Sequence, residues 1–146
     1  MENVRRIKEF NRENRPFYIV DHDDGTFSLC LPFDLLSGEY ADAPGVKGLA
    51  IFTQEQFNEM IALARSGGMS SAIHVIGDGI LDRVLNAFEY AAEKYPDIPV
   101  RSGVVHVQLT RPHQLQRMKE LGLHAYVQTI FLDYDSAIVQ DRVGKE

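Results

Sequence analysis

Two stretches of this sequence end in the same way. Ser71-Ala72-Ile73-His74-Val75-Ile76-Gly77-Asp78 and Gly103-Val104-Val105-His106-Val107-Gln108-Leu109 are each an apolar run, then a histidine, then the approach to a helix. A strand that feeds a helix, twice in succession, constrains the fold to parallel strands joined by right-handed crossovers. The strand ends then share one edge of a sheet, where α/β proteins place ligands and metals. Two imidazoles there, on consecutive units, are a candidate half of a metal site.

The alternation extends to both sides of these stretches. Leu49 to Phe52 lead to Thr53, an N-cap with Gln56 three residues on, which is a capping-box spacing. Phe57, Met60, Ile61 and Ala64 form one helical stripe, closed by Gly67-Gly68. A strand is expected from Ser70 to Val75. Asp78 stands where it can cap the next helix, whose apolar face is Leu81, Val84, Leu85, Phe88 and Ala92. A strand from about Val100 to Val107 follows, then Thr110 as cap of a helix with Pro112 in its first turn. That helix has the stripe Leu115, Met118 and Leu121 and stops at Gly122; a last strand spans His124 to Ile130.

The first third reads differently. Residues 3–13 are charged and fit a short surface helix. Phe17 to Val20 and Thr26 to Leu31 are β-prone and flank Asp23-Asp24-Gly25, a hairpin pattern. Leu36 to Lys47 carries Gly38, Pro44 and Gly45 among acidic residues and reads as loop.

At 146 residues the chain suffices for a single domain, residues 1–146, with a core. A net charge of −6 with no basic patch argues against nucleic acid as a partner. No apolar run approaches the roughly 20 residues that span a bilayer, and the N-terminal residues do not read as a signal peptide. Cys30 is the single cysteine, which rules out an intrachain disulfide and fits a reducing, cytoplasmic setting.

Each histidine has a plainer alternative. His74 and His106 taken singly read as readily as strand-end histidines satisfied by neighbours; the matched pair is what raises the metal reading. His22, in Asp21-His22-Asp23-Asp24-Gly25, reads as a solvated turn, because Gly25 occupies the fifth position that a calcium loop needs for a ligand. His113 reads as surface and His124 as structural. Cys30 has no neighbouring histidine or second cysteine in sequence. Ile76-Gly77-Asp78-Gly79 has the spacing of neither phosphate-binding glycine motif. Asp133 and Asp135 read as solvated. Gln128 could line a substrate pocket or pack.

These residues resemble the metal-dependent amidohydrolases, in particular the subgroup that includes N-substituted formamide deformylases. The resemblance rests on His74-Val75-Ile76-Gly77-Asp78, Leu85 and Phe88, Arg101 before His106-Val107-Gln108-Leu109, and Leu121-Gly122 followed by Val127-Gln128. Upstream it includes Asp24-Gly25, Glu39 to Gly45, Gly48 and Thr53-Gln54-Glu55, and it covers roughly Val20 to Phe131.

The resemblance implies a partial (β/α)8 barrel, from about the fourth strand to the seventh, since a whole barrel takes about 250 residues. It implies that His74 ends the fifth strand and His106 the sixth, that both ligate a divalent metal, zinc by preference, and that the whole enzyme hydrolyses an amide or related C–N bond of a small molecule. The first-strand His-x-His and the eighth-strand aspartate of that family have no counterpart here. The family's fourth-strand lysine falls near Val20, and its glutamate before the sixth-strand histidine is Val105. These departures argue against a binuclear site and leave a mononuclear one or a divergent inactive member. The chain alone is expected to be inactive, with no catalytic residue assigned. Its open sheet is expected to drive homo-oligomer formation. A non-catalytic α/β fragment and a small-ligand-binding domain without metal stand as alternatives.

Overall fold

A computed structural model describes residues 18–21, 26–30, 35–48 and 52–144. The expected helix at 3–13, the turn at 22–25 and His22 lie outside the described residues. Five strands form one sheet in chain order: β1 (Tyr18–Asp21), β2 (Thr26–Cys30), β3 (Ser70–Val75), β4 (Gly103–His106) and β5 (His124–Tyr126). The expected hairpin is present, with β1 antiparallel to β2 and Tyr18 opposite Cys30. From β2 to β5 every pairing is parallel. The crossovers carry helices α1 (Gln54–Ser66), α2 (Asp78–Lys94) and α3 (Pro112–Glu120), and α4 (Phe131–Val143) follows β5.

Burial alternates along β3. Ser71, Ile73 and Val75 are buried, while Ser70, Ala72 and His74 are half-buried on the other face. The buried face packs against α1 through Phe57 and Ile61, and against α2 through Leu81, Val84, Leu85 and Phe88, with Val104 of β4 and Met118 of α3 in the same cluster. Burial of this kind is the main favourable term in folding, roughly 25 cal/mol per Å² of apolar surface. The opposite face of β3 and β4 is the one that holds His74 and Val105.

Thr53 caps α1 as expected: its side chain accepts from the Gln56 N–H, and the Gln56 side chain accepts from the Thr53 N–H at 2.9 Å. Two other expected caps differ. Gly77, not Asp78, is the N-cap of α2, and Asp78 turns its carboxylate to Ser37 and Arg111. Arg111, not Thr110, precedes α3, and its N–H donates to Gln114 Oε1 at 2.9 Å. The inner face of α3 is therefore rotated from the expected stripe. Gln114 and Met118, one helical turn apart, are buried, and Leu115 is 50% exposed. Gln114 goes in because it serves two backbone groups, accepting from Arg111 and donating to the Asp78 carbonyl at 2.7 Å.

The last two strands are shorter than their apolar runs. β4 begins at Gly103, and β5 ends at Tyr126. The chain past Tyr126 enters a turn and then α4, which alternation did not foretell. Residues 35–48 form the expected loop, closed on itself by the Leu36 N–H to Lys47 carbonyl and Tyr40 N–H to Val46 carbonyl bonds, both 2.8 Å. It is fastened to α2, where the Ile80 N–H donates to the Leu35 carbonyl at 3.0 Å.

Candidate metal and substrate site

His74 and His106 meet in spite of their register. In the β3–β4 pairing His74 lies opposite Val105, and Val75 lies opposite His106. Side chains alternate along a strand, so a regular β4 would send His106 to the face opposite His74. Instead His74 Nδ1 and His106 Nε2 are 2.9 Å apart, with ring centroids 5.0 Å apart. The backbone accounts for it. His106 has φ 75 and Val107 φ 53, the left-handed region that residues with a Cβ rarely enter. Two left-handed residues in a row reverse the alternation and swing the imidazole across to β3. The conformation costs about 1–3 kcal/mol per residue. It is held by two hydrogen bonds from the chain after β4 to the end of β3 and the residue that follows it: Val107 N–H to the Val75 carbonyl at 3.1 Å and Leu109 N–H to the Ile76 carbonyl at 3.0 Å.

Gln128 fixes the protons of the pair. Its Oε1 is 2.8 Å from His106 Nδ1, and an amide oxygen only accepts, so Nδ1 carries the hydrogen. In the neutral ring Nε2 is then the unprotonated nitrogen, and it offers its lone pair to His74 Nδ1, 2.9 Å away. Burial, and next the nearby His106, hold the His74 pKa below the ordinary histidine value. His74 is thus neutral at pH 7. The arrangement suits a ligand pair: one imidazole is locked in the tautomer that leaves the inward nitrogen unprotonated, and the other is kept uncharged. Phe131, at the start of α4, packs its ring 5.7 Å from that of His106.

A cavity of about 640 Å³ adjoins His106 and Gln128, between the ends of β4 and β5 and helix α4. Its other walls are chiefly aliphatic, including Ile76, Leu109, Val127 and Val139. Asp135 also lines it, and accepts from Gln108 Nε2 at 2.5 Å, so the expectation of a solvated Asp135 does not hold. Tyr40 brings the 35–48 loop to the same cavity.

That loop is tied down by Asp78. The carboxylate accepts from the Ser37 N–H at 2.9 Å, from the Ser37 hydroxyl, and from Arg111 Nε at 2.8 Å. Burial alone would raise the Asp78 pKa; the Ser37 and Arg111 contacts outweigh it and hold the carboxyl below its usual range. Arg111 also donates to the Ser37 hydroxyl, so one ion pair joins the loop to the starts of α2 and α3.

Of the residues singled out by sequence, His74, His106 and Gln128 are brought together. His113 is at the surface, 3.5 Å from Asp82, and His124 lies beside Arg101 and Tyr126, away from the pair. Val20 is on β1, separated from β3 by β2. Leu29 is opposite Ile73, which sets Cys30, the last residue of β2, level with His74 along the backbone. Sequence adjacency hid this, since Cys30 and His74 become neighbours only through the strand pairing. Among the described residues no three histidine, cysteine, aspartate or glutamate side chains converge as a metal site.

Residues 22–146 match the amidohydrolase family. YtcJ of Bacillus subtilis, named as an amidohydrolase, is 32% identical over 113 residues, 77% of this chain and 21% of its own length. LONG AFTER FAR-RED 3 of Arabidopsis thaliana is 32% identical over 108 residues, 74% of this chain and 18% of its own. Among solved structures, a metal-dependent hydrolase of Pyrococcus furiosus superimposes with a TM-score of 0.65 at 34% identity, over 76% of this chain and 22% of that one. Another from Pyrococcus horikoshii gives 0.64 at 35% identity, over 75% of this chain and 21% of that one. The chain therefore spans about a fifth of the length of the relatives it matches.

Proposed function

Because this chain belongs to the amidohydrolase family, we propose that it is the portion of a metal-dependent hydrolase barrel, about strands four to seven, that supplies His74 and His106 to one divalent ion, zinc by preference. The reaction would be hydrolysis of an amide or related C–N bond, in a subgroup similar to the N-substituted formamide deformylases. The observation that carries this reading is the approach of His74 Nδ1 and His106 Nε2 to 2.9 Å, with Gln128 fixing the His106 tautomer.

The donor set fits the ion. Two imidazole nitrogens at 2.0–2.1 Å from a tetrahedral zinc lie about 3.3 Å apart, which requires the present pair to open by a few tenths of an ångström. When bound, such an ion acidifies water and polarises a carbonyl. The chain's own groups do the rest. Gln128 keeps the His106 hydrogen on Nδ1 and the ring oriented. Phe131 shields one side of that ring. The Asp78–Ser37–Arg111 contacts hold the 35–48 loop, with Tyr40, against the cavity. Two histidines are fewer than the three protein ligands of a catalytic zinc site. The chain by itself is accordingly expected to bind metal weakly and to turn nothing over.

Calorimetric titration of the 146-residue chain with zinc tests this reading. Binding near one equivalent is expected, weakened at least roughly tenfold by His74→Ala and by His106→Ala. Unchanged affinity in both variants, or no binding at all, would favour a satisfied histidine pair in a domain without metal.

A further inference from the structure

The 35–48 loop reaches the cavity beside His106 through one side chain, Tyr40, among the described residues that line it. From the bonds within this loop and the ion pair at its base we infer that residues 38–47 are a movable lid on that cavity, with Tyr40 as the closing residue and Arg111–Asp78 as the latch. The inference rests on the reading of the cavity as the substrate site, and its test needs no metal.

The tip of the loop is bonded to itself. The Tyr40 N–H donates to the Val46 carbonyl at 2.8 Å, and the Ala43 and Val46 N–H groups donate to the Tyr40 and Ala43 carbonyls at 3.1 Å. The Gly45 N–H donates to the Glu39 carboxylate at 2.9 Å. These bonds travel with the tip, so it can pivot without breaking them. A glycine stands at each end: Gly38, with open space where a Cβ would lie, and Gly48, at φ 86. The base is held differently. Leu36 is buried, and the Leu35 carbonyl accepts from the Ile80 N–H. Between base and tip, next to Gly38, is Ser37. Its N–H and hydroxyl donate to Asp78, and its hydroxyl accepts from Arg111, which pairs with Asp78 at 2.8 Å. The Arg111 side chain is 55% exposed and that of Asp78 12%. Counter-ions therefore reach the arginine half of the pair, and the screening distance shrinks from about 10 Å at 0.1 M salt to about 3 Å at 1 M. Closed, the lid keeps water from the cavity; released, it carries Tyr40 away as a folded unit.

Two measurements on the metal-free 146-residue chain test the lid. Amide hydrogen exchange followed by NMR compares Ser37, whose N–H belongs to the latch, with Tyr40 and Val46, whose bonds lie inside the tip. Arg111→Gln, or raising NaCl from about 0.1 to about 1 M on the unsubstituted chain, is expected to speed Ser37 exchange roughly fivefold and to change Tyr40 and Val46 by less than about twofold. The salt arm needs no substitution, so it stands even where a variant fails to fold. The sequence has no tryptophan, so Tyr40→Trp places a sole indole at the cavity. Its quenching by acrylamide is expected to rise over the same salt step. Adding Arg111→Gln should raise the quenching at low salt and abolish the salt response, and adding Arg111→Lys, which keeps the charge, should retain part of that response. A Ser37 amide and an indole indifferent to salt and to Arg111→Gln would overturn the latch. Tyr40 and Val46 amides exposed together with Ser37 would overturn the lid, since the loop would then melt instead of pivoting. Failure of zinc to bind leaves all these readouts in place, so the metal reading and this one fail separately.

Discussion

Gly79→Ala should destabilise this protein, although the same change in an exposed helix usually stabilises. A Cβ built on Gly79 meets three backbone atoms of the neighbouring loop: Leu36 C at 2.5 Å, Leu36 O at 2.6 Å and Ser37 N at 2.7 Å. Carbon contacts are comfortable at about 3.5–4.0 Å, so the loop must retreat by about 1 Å. A retreat of that size breaks the Ile80 N–H to Leu35 bond of 3.0 Å and the Ser37 N–H to Asp78 bond of 2.9 Å. Losing the first costs about 1 kcal/mol, and losing the second, to a charged acceptor, about 1.5–3 kcal/mol. Alanine returns at most about 1 kcal/mol through helix preference. The balance is a loss of roughly 1.5–3 kcal/mol, or a Tm lower by about 5–10 °C for a chain of this length. Thermal and urea unfolding followed by circular dichroism measure it. Hydrogen exchange supplies a local check: the Ile80 amide, in the first turn of α2, takes its partner from Leu35 and should lose protection. A variant with an equal or higher Tm and a protected Ile80 amide would refute the reasoning.

Two further outcomes follow from the contacts around the site. Gln114→Met removes the fully buried amide that accepts from Arg111 N–H at 2.9 Å and donates to the Asp78 carbonyl at 2.7 Å, and methionine fills the same space. Two backbone groups lose their partner at about 1–3 kcal/mol each, so urea denaturation should show a loss of roughly 2–6 kcal/mol; a loss below 1 kcal/mol would mean water replaces both bonds. The His74 pKa is lowered in the folded protein from 6.5, so as pH falls the unfolded chain takes up its proton first. This contribution is present in full above about pH 6.5 and is lost as the pH drops from there through the folded value; His74→Gln should flatten the fall in urea midpoint between pH 7.5 and 5.5, and an unchanged slope would assign it to other groups.

What the sequence made legible was the part governed by periodicity. The alternation of β3, the stripe of α2 and the capping box at Thr53 are local patterns whose tertiary outcome follows from burying one face. The inner face of α3 was not legible because Gln114, polar by type, goes inside to serve Arg111 and the Asp78 carbonyl, while Leu115 stays out. Asp78 lost its expected capping role to Ser37 and Arg111, the first from a loop 41 residues away in sequence. The short β5 and the appearance of α4 were hidden by an apolar run, His124 to Ile130, that reads as one strand yet leaves Val127 and Ile130 exposed. The histidine pair was legible as a pair at one sheet edge. The means by which it converges was not, because nothing in Val105-His106-Val107 announces a left-handed backbone.

That turn limits what can be transplanted. A designer who copied the two histidines, at their observed register, onto an ideal parallel sheet would find them separated by the thickness of the sheet, each facing a different layer. A search for this chemistry that scores only a histidine at the end of each of two adjacent strands would accept many sheets unable to bring the rings together. The transferable unit is larger than two side chains: it includes the reversal at positions 106 and 107, the two amides that fasten it to the end of the neighbouring strand, and the glutamine that holds the outer nitrogen.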